Sequence, residues 1–313
     1  ALYAEGDRRR DAGFTIFYMG INLGSILGQL FCPILADTLG WWAGFGLAGV
    51  GMTISYLLMQ FDGGRLAGYG EPPAKDKDRS LWVFIGAIVA VPVFYFLFVN
   101  LMNTPEPEPG SGFLGYIASL SLMGKLLFGA FLIGVPSILF WSYAKGTKTE
   151  FQMMCAAMVL IVFNVFFWTL FEQAGSSLTL FADRNTDKSV FGLFTMSAPQ
   201  TQNFNPIAIV VFAPLMSILW TNLAKRGLEP SIPVKFAIAL VGVGAGFLFL
   251  VWGSTFAGAG NNFQVGLWWL AGLYLIHSLA ELCISPVGLS MITKLSIARI
   301  VGLMMGVWFL SIS

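Results

Sequence analysis

Charge is what this sequence has least of. Only 11% of its 313 residues are Asp, Glu, Lys or Arg, against about 25% in an average soluble domain. A chain so poor in ionised side chains lacks the polar surface to cover a fold in water. Its net charge of +1 leaves no concentrated basic patch, which excludes nucleic-acid binding. Cysteine is nearly as scarce. Cys32, Cys155 and Cys283 lie far apart inside apolar runs, so they read as small buried apolar residues, neither a disulfide framework nor a metal cluster. No Walker motif, Gly-rich dinucleotide fingerprint or Ser/His/Asp order occurs. ATP hydrolysis and covalent catalysis have no sign here, and no cofactor is implied.

What is present is apolar. Hydrophobic residues make up 57% of the chain, with 29 Phe and 36 Gly, both raised in membrane helices. A bilayer core of roughly 30 Å takes about 20 apolar residues per spanning helix. Eight runs meet that length and a ninth is cut short: 14–37, 40–60, 81–102, 113–144, 151–182, 201–224, 232–254, 264–293 and 299–313. Backbone cannot face lipid unsatisfied, and runs without two-residue alternation exclude a closed barrel, so these are helices.

The connectors fix the orientation. If the segment holding Arg8, Arg9 and Arg10 is cytoplasmic, the sides alternate run by run, and fourteen of the seventeen Lys and Arg residues fall on that side. Arg184 and Lys188 alone lie opposite, and Lys125 sits inside a run. This is the asymmetry that positive residues impose on membrane topology. The chain opens without methionine and stops part-way through an apolar run at Ser311-Ile312-Ser313, so it reads as an internal portion of a larger bundle. The Gly-, Pro- and charge-rich stretch at 61–80 reads as a cytoplasmic linker, and Pro-Glu-Pro-Glu-Pro-Gly at 105–110 as a stiff outer turn. The runs between them carry little polarity except Lys125 and read as a lipid-facing hairpin. The fourth, at 113–144, exceeds one crossing and must tilt or begin along the interface.

Ionisable residues within spans carry the functional signal. Four qualify: Lys125, Glu172, His277 and Glu281. Glu281 is near mid-span, with His277 four residues before it and Ser285 four after, all on one helix face. Pro286 follows and predicts a kink. A cavity wall and a structurally paired carboxylate are both open readings. Glu172 closes the run through Trp168, and the spacing by four puts Trp168, Glu172 and Ser176 on one face. It is either an interfacial carboxylate or one held away from bulk water, where proton coupling needs it. His277 and Glu281 fall short of the three protein ligands a zinc site requires, so His277 reads as a hydrogen-bonded core histidine. Lys125 reads as snorkelling or paired. Asn22 and Asn205 are neutral polar residues in apolar helices, fit either for solute contact or for interhelical hydrogen bonds.

At these residues the chain resembles the proton-dependent oligopeptide transporters of the major facilitator superfamily. Gly6-Asp7-Arg8-Arg9-Arg10-Asp11-Ala12-Gly13-Phe14, leading into Phe17-Tyr18-Met19-Gly20-Ile21-Asn22-Leu23-Gly24, is similar to the family signature across the fourth-to-fifth helix loop. Phe167-Trp168 with Phe171-Glu172-Gln173 resembles the seventh-helix motif. Glu281-Leu282-Cys283-Ile284-Ser285-Pro286-Val287-Gly288-Leu289-Ser290 resembles the tenth, and Gly302-Leu303-Met304-Met305-Gly306-Val307-Trp308-Phe309 the eleventh.

The resemblance implies an all-α transmembrane bundle of that superfamily, here incomplete. Residues 1–60 would close the N-terminal bundle, 61–80 would be the linker, 81–144 two extra helices between the bundles, and 145–313 the C-terminal bundle. It further implies a multi-pass protein of the cell inner membrane that imports di- and tripeptides with protons by alternating access. Glu172 would be the protonation site, Glu281 would bind the peptide amino terminus, Asn22 and Asn205 its backbone, and Trp168 and Trp308 would wall side-chain pockets, with Ser285 beside them. The family's first-helix Glu and Arg residues and its fourth-helix Lys would precede Ala1, so this segment alone is expected neither to bind nor to transport peptide. Two rivals stay open: a symporter of another small organic solute, and an intramembrane enzyme using Glu172 and Glu281 as acid and base.

Overall fold

The structure is a computed structural model and describes residues 9–61, 63, 64, 66, 79–104, 110 and 112–312, without the side chains of 9–19, 286, 289 and 290. Arg8, most of the 61–80 linker and the Pro-Glu repeat at 105–109 therefore lie outside the described residues, as does the side chain of Pro286.

The helices are α1 (Arg9–Leu39), α2 (Trp41–Gln60), α3 (Ser80–Met102), α4 (Gly112–Ser119), α5 (Leu122–Lys145), α6 (Lys148–Phe171), α7 (Ser177–Asn185), α8 (Phe204–Lys225), α9 (Ile232–Ser254), α10 (Leu267–Leu295) and α11 (Val301–Leu310). Eight helical stretches among the described residues are long and apolar enough to cross a membrane, with a shorter apolar one at Ala298–Leu310. The fold is all-α and transmembrane. Proline lies inside α1, α3, α5 and α8 at Pro33, Pro92, Pro136 and Pro214, as spanning helices tolerate when neighbours satisfy the freed carbonyl.

Two runs break where hydropathy continues. The run at 113–144 divides at Leu120 and Ser121, so its excess length becomes the separate eight-residue helix α4 instead of a tilt. Ser121 caps α5 by accepting from Gly124 N at 3.1 Å, and Asn100 Oδ1 accepts from Leu122 N at 2.8 Å. Lys125 consequently lies in the first turn of α5 and is exposed, not in mid-span. The run at 151–182 is α-helical only to Phe171, then passes through a 3₁₀ turn at Glu172–Gly175 into α7. Small strands add to the helices: β1 (Thr186–Asp187) pairs in parallel with β4 (Val265–Gly266), and β2 (Ser189–Val190) pairs antiparallel with β3 (Phe194–Thr195). The turn between β2 and β3 holds Phe191 at φ 51° beside Gly192 at φ 73°, a left-handed conformation that strains a bulky residue.

The chain divides into two compact units, Ala1–Arg65 with Cys155–Ser313, and Leu66–Met154. In the second, α3 packs against α5 and buries none of its own residues. Trp82, Phe84 and Phe94 stand exposed, tolerable only where the solvent is itself apolar.

In the first unit α10 is the central element, packed against α8, α9 and α11, while α1 packs against α2 and α8. Lipid is as apolar as leucine, so close backbone approach replaces the hydrophobic drive between helices. The α9–α10 seam has that form. A Cβ on Gly242 would lie 2.8 Å from that of Ala280, and one on Gly246 would enter the His277 ring. Gly246→Ala is expected to destabilise by about 1–3 kcal/mol, the usual cost of overpacking. Thermal unfolding in detergent checks this, with Gly244→Ala, which meets nothing within 4 Å, as the control that stays unchanged. Leu178, Ala182, Leu250, Leu270, Leu273 and Tyr274 form a buried cluster.

Candidate functional site

α10 runs unbroken through the Glu281 region, so the helical period holds and His277, Glu281 and Ser285 share a face. α8 begins one residue before Asn205 and lies against that face. Asn205 Nδ2 donates to Glu281 Oε2 at 2.9 Å and to Ser278 Oγ at 3.0 Å. Ser278 Oγ in turn donates to Tyr274 O at 2.7 Å. The opposite amide orientation would set one oxygen against another, so the carboxylate fixes the flip. Both amide protons of Asn205 are thus committed. What Asn205 can still offer a solute is an acceptor, Oδ1. Glu281 is only 9% exposed, a desolvated carboxylate held by a neutral donor.

His277 lies one turn N-terminal to Glu281 on α10 and is 1% exposed. Its Nε2 is 3.0 Å from Val243 O. A carbonyl cannot donate, so Nε2 carries a proton. Nδ1 is buried without a partner among the described residues, and the ring packs against Phe247 and Phe171 with centroids 5.0 and 6.0 Å away. Through Phe171 this cluster reaches the residue next to Glu172. Ser285 Oγ, one turn C-terminal to Glu281, is also buried without a partner among the described residues.

Glu172 opens the 3₁₀ turn and is exposed. The expectation that Trp168, Glu172 and Ser176 share one helical face fails at this turn. The α-helical period ends at Phe171, and Ser176 has left it at φ −123°, ψ −93°. Trp168 belongs to α6, stacked edge-on to Phe167 and Phe171 at 5.5 and 5.2 Å, with its Nε1 buried and unpartnered among the described residues. Past the turn, Gln173 Oε1 accepts from Ser176 at 3.3 Å and from Ser177, and Gln202 Nε2 donates to Thr179 Oγ1 at 2.9 Å.

Trp308 on α11 is 2% exposed and fills the notch left by Gly288, two turns C-terminal to Glu281, with Phe236 at 6.4 Å. Asn22 is buried on α1. The structure therefore joins Asn205 to Glu281 directly, sets Ser285 and Trp308 along the same α10 face, and places Trp168 against Phe171 beside His277, while Glu172, the next residue in the chain, is exposed. Among the described residues no three His, Cys, Asp or Glu side chains converge as a metal group.

Two polar residues escaped the sequence reading. Ser278, three residues before Glu281, had the right spacing to be found. Asn164, fully buried on α6, donates to Ser311 Oγ at 2.8 Å and ties α6 to the end of α11. An amide inside the apolar stretch around it was the available signal.

The comparisons with known proteins agree with the motifs. The family model described as the POT family matches residues 1–313. The peptide transporter YePEPT of Yersinia enterocolitica is 32% identical over 320 residues, covering 98% of this chain and 60% of that protein. The uncharacterized transporter YclF of Bacillus subtilis is 35% identical, covering 99% of this chain and 60% of its own length. Among solved structures, a mutant of peptide transporter POT in complex with alafosfalin superposes with a TM-score of 0.71 at 34% identity, over 99% of this chain and 60% of that one. A POT family transporter in complex with 5-aminolevulinic acid gives 0.73 at 27% identity, over 99% and 62%. The chain thus spans about 60% of the length of the curated relatives it matches. With its motifs, its helices and a match running from the first residue to the last, the chain belongs to the POT family of membrane transporters.

Proposed function

We infer that the whole protein carrying this chain is a proton-coupled symporter of the inner membrane that imports di- and tripeptides by alternating access. The observation that carries this reading is the Asn205–Glu281 pair. A peptide's amino terminus is an ammonium, and a desolvated carboxylate is the strongest neutral-pH receptor for it. Asn205 holds that carboxylate, and its Oδ1 is left as a second acceptor for the same ammonium. Ser285 lies one turn along, Trp308 closes the inner end of the face, and Asn22 and Trp168 contribute from α1 and α6. Glu172, at the break between α6 and α7, is the proton carrier, with protons the only coupling ion. In the bundle layout, 1–60 ends the N-terminal half, 61–80 links, 81–144 is the inter-bundle hairpin and 145–313 is the C-terminal half. The names of relatives such as YePEPT support peptides as substrates.

The test is uptake of labelled dialanine by the whole protein in liposomes, with and without an inward proton gradient. Accumulation that needs the gradient is the expected result. No uptake of any small peptide would overturn the substrate assignment. The reading that would replace it, symport of another small amino-bearing solute, is favoured by the relative solved with 5-aminolevulinic acid.

A further inference from the structure

A serine inside a helix commonly returns its hydroxyl to the carbonyl one turn back. Ser278 makes that bond, to Tyr274 O at 2.7 Å, but it also meets α8. Its Oγ lies 3.3 Å from Asn205 O and accepts from Asn205 Nδ2 at 3.0 Å. The side chain is fully buried, so no bulk water competes for these bonds. A hydroxyl has one proton. The main-chain carbonyls of Tyr274 and Asn205 are its acceptors, and what Oγ turns to the Asn205 side chain is a lone pair. Only the N–H end of the amide can meet a lone pair.

The orientation of Asn205 is therefore set from two sides, by Glu281 Oε2 at 2.9 Å and by Ser278 Oγ. The two holds differ in what happens to them. Glu281 has to turn its charge toward an arriving ammonium, and its grip on Nδ2 weakens as it does so. Ser278 is closed off from any solute and keeps its grip throughout. The last torsion of an asparagine is broad and nearly twofold, so an amide released at that moment could turn over. Its N–H end would then face the ammonium, donor against donor. Held by Ser278, the amide keeps Oδ1 forward as an acceptor.

We propose that Ser278 is a positioning residue for ammonium recognition, fixing the Asn205 amide so that Oδ1 is presented beside Glu281 while the solute binds. It acts through Asn205 and touches no solute itself. The proposal rests on the function inferred above, in which the ammonium of a peptide meets Glu281.

The test is the kinetics of dialanine uptake by the whole protein in liposomes, with N-acetyl-dialanine as a competitor that has no ammonium. Alanine is smaller than serine and a better helix former, so Ser278→Ala keeps α10. This variant is expected to raise the KM for dialanine about two- to tenfold, the range of one net hydrogen bond, with the maximal rate unchanged. Inhibition by N-acetyl-dialanine stays as weak as before, so the preference for the free amine narrows by the same factor. Ser278→Thr keeps the hydroxyl and retains the native preference, whatever its added methyl does to thermal stability. An unchanged KM in Ser278→Ala would overturn the proposal. Equal weakening of both solutes would overturn it too, since that is the mark of a residue that merely spaces α8 from α10. A Ser278→Thr protein that loses the preference would do the same. Failure of the function inferred above looks different: the native protein itself takes up no dialanine, and the positioning role falls with it.

Discussion

Glu281→Gln is expected to reduce dialanine uptake by about ten- to a hundredfold, because the hydrogen bond it weakens is one to a charged group and such bonds are worth about 1.5–3 kcal/mol. The substitution is nearly isosteric. A glutamine oxygen can still accept from Asn205 Nδ2 at the position Glu281 Oε2 now holds, so the α8–α10 contact survives and the fold with it. What disappears is the negative charge that a peptide ammonium would meet. Gradient-driven uptake and peptide exchange should therefore fall together, since both begin with binding. A second measurement separates charge from packing. Wild type should reject N-acetyl-dialanine, which has no ammonium, in favour of dialanine, and the variant should lose that preference. Uptake by Glu281→Gln at the wild-type rate would remove Glu281 from the binding site.

Glu172→Gln is expected to separate exchange from accumulation. A gradient of one pH unit stores about 1.4 kcal/mol per proton, enough for roughly tenfold accumulation at one proton per peptide. If Glu172 carries the coupling proton, the variant's accumulation ratio falls to about one while exchange of labelled for unlabelled dialanine continues. Its position favours this division. Glu172 opens the 3₁₀ turn between α6 and α7, apart from the Asn205–Glu281 pair, and no hydrogen bond or ion pair reaches its carboxylate among the described residues. Neutralising it should leave the α8–α10 pair intact. Equal accumulation by variant and wild type would move the coupling role elsewhere.

Sequence patterns anticipated these features unequally. The spans and the shared face of His277, Glu281 and Ser285 were legible, because run length and helical period are local properties. The breaks at Leu120–Ser121 and Glu172–Gly175 were not, since hydropathy is blind to a change from α to 3₁₀ pitch. The fault propagated to Ser176, assigned to a face that ends five residues earlier. Partners were the least legible. Asn205 and Glu281 are 76 residues apart, and Asn164 and Ser311 are 147 apart. A neutral amide gives no sign of which distant helix will receive it.

The glycine seam between α9 and α10 limits how this half of the bundle can move. With Gly242 against Ala280 and His277 seated over Gly246, neither helix can slide past the other without driving a ring or a methyl into backbone. Shear, the small sliding of packed helices, is closed to this pair, and hinge bending is what remains. The pair should swing as one lever, and the flexion must be taken up where the helical ladder is already interrupted. The turn at Glu172–Gly175 is such a place. A proton arriving at Glu172 would then meet the fulcrum of the motion rather than its load.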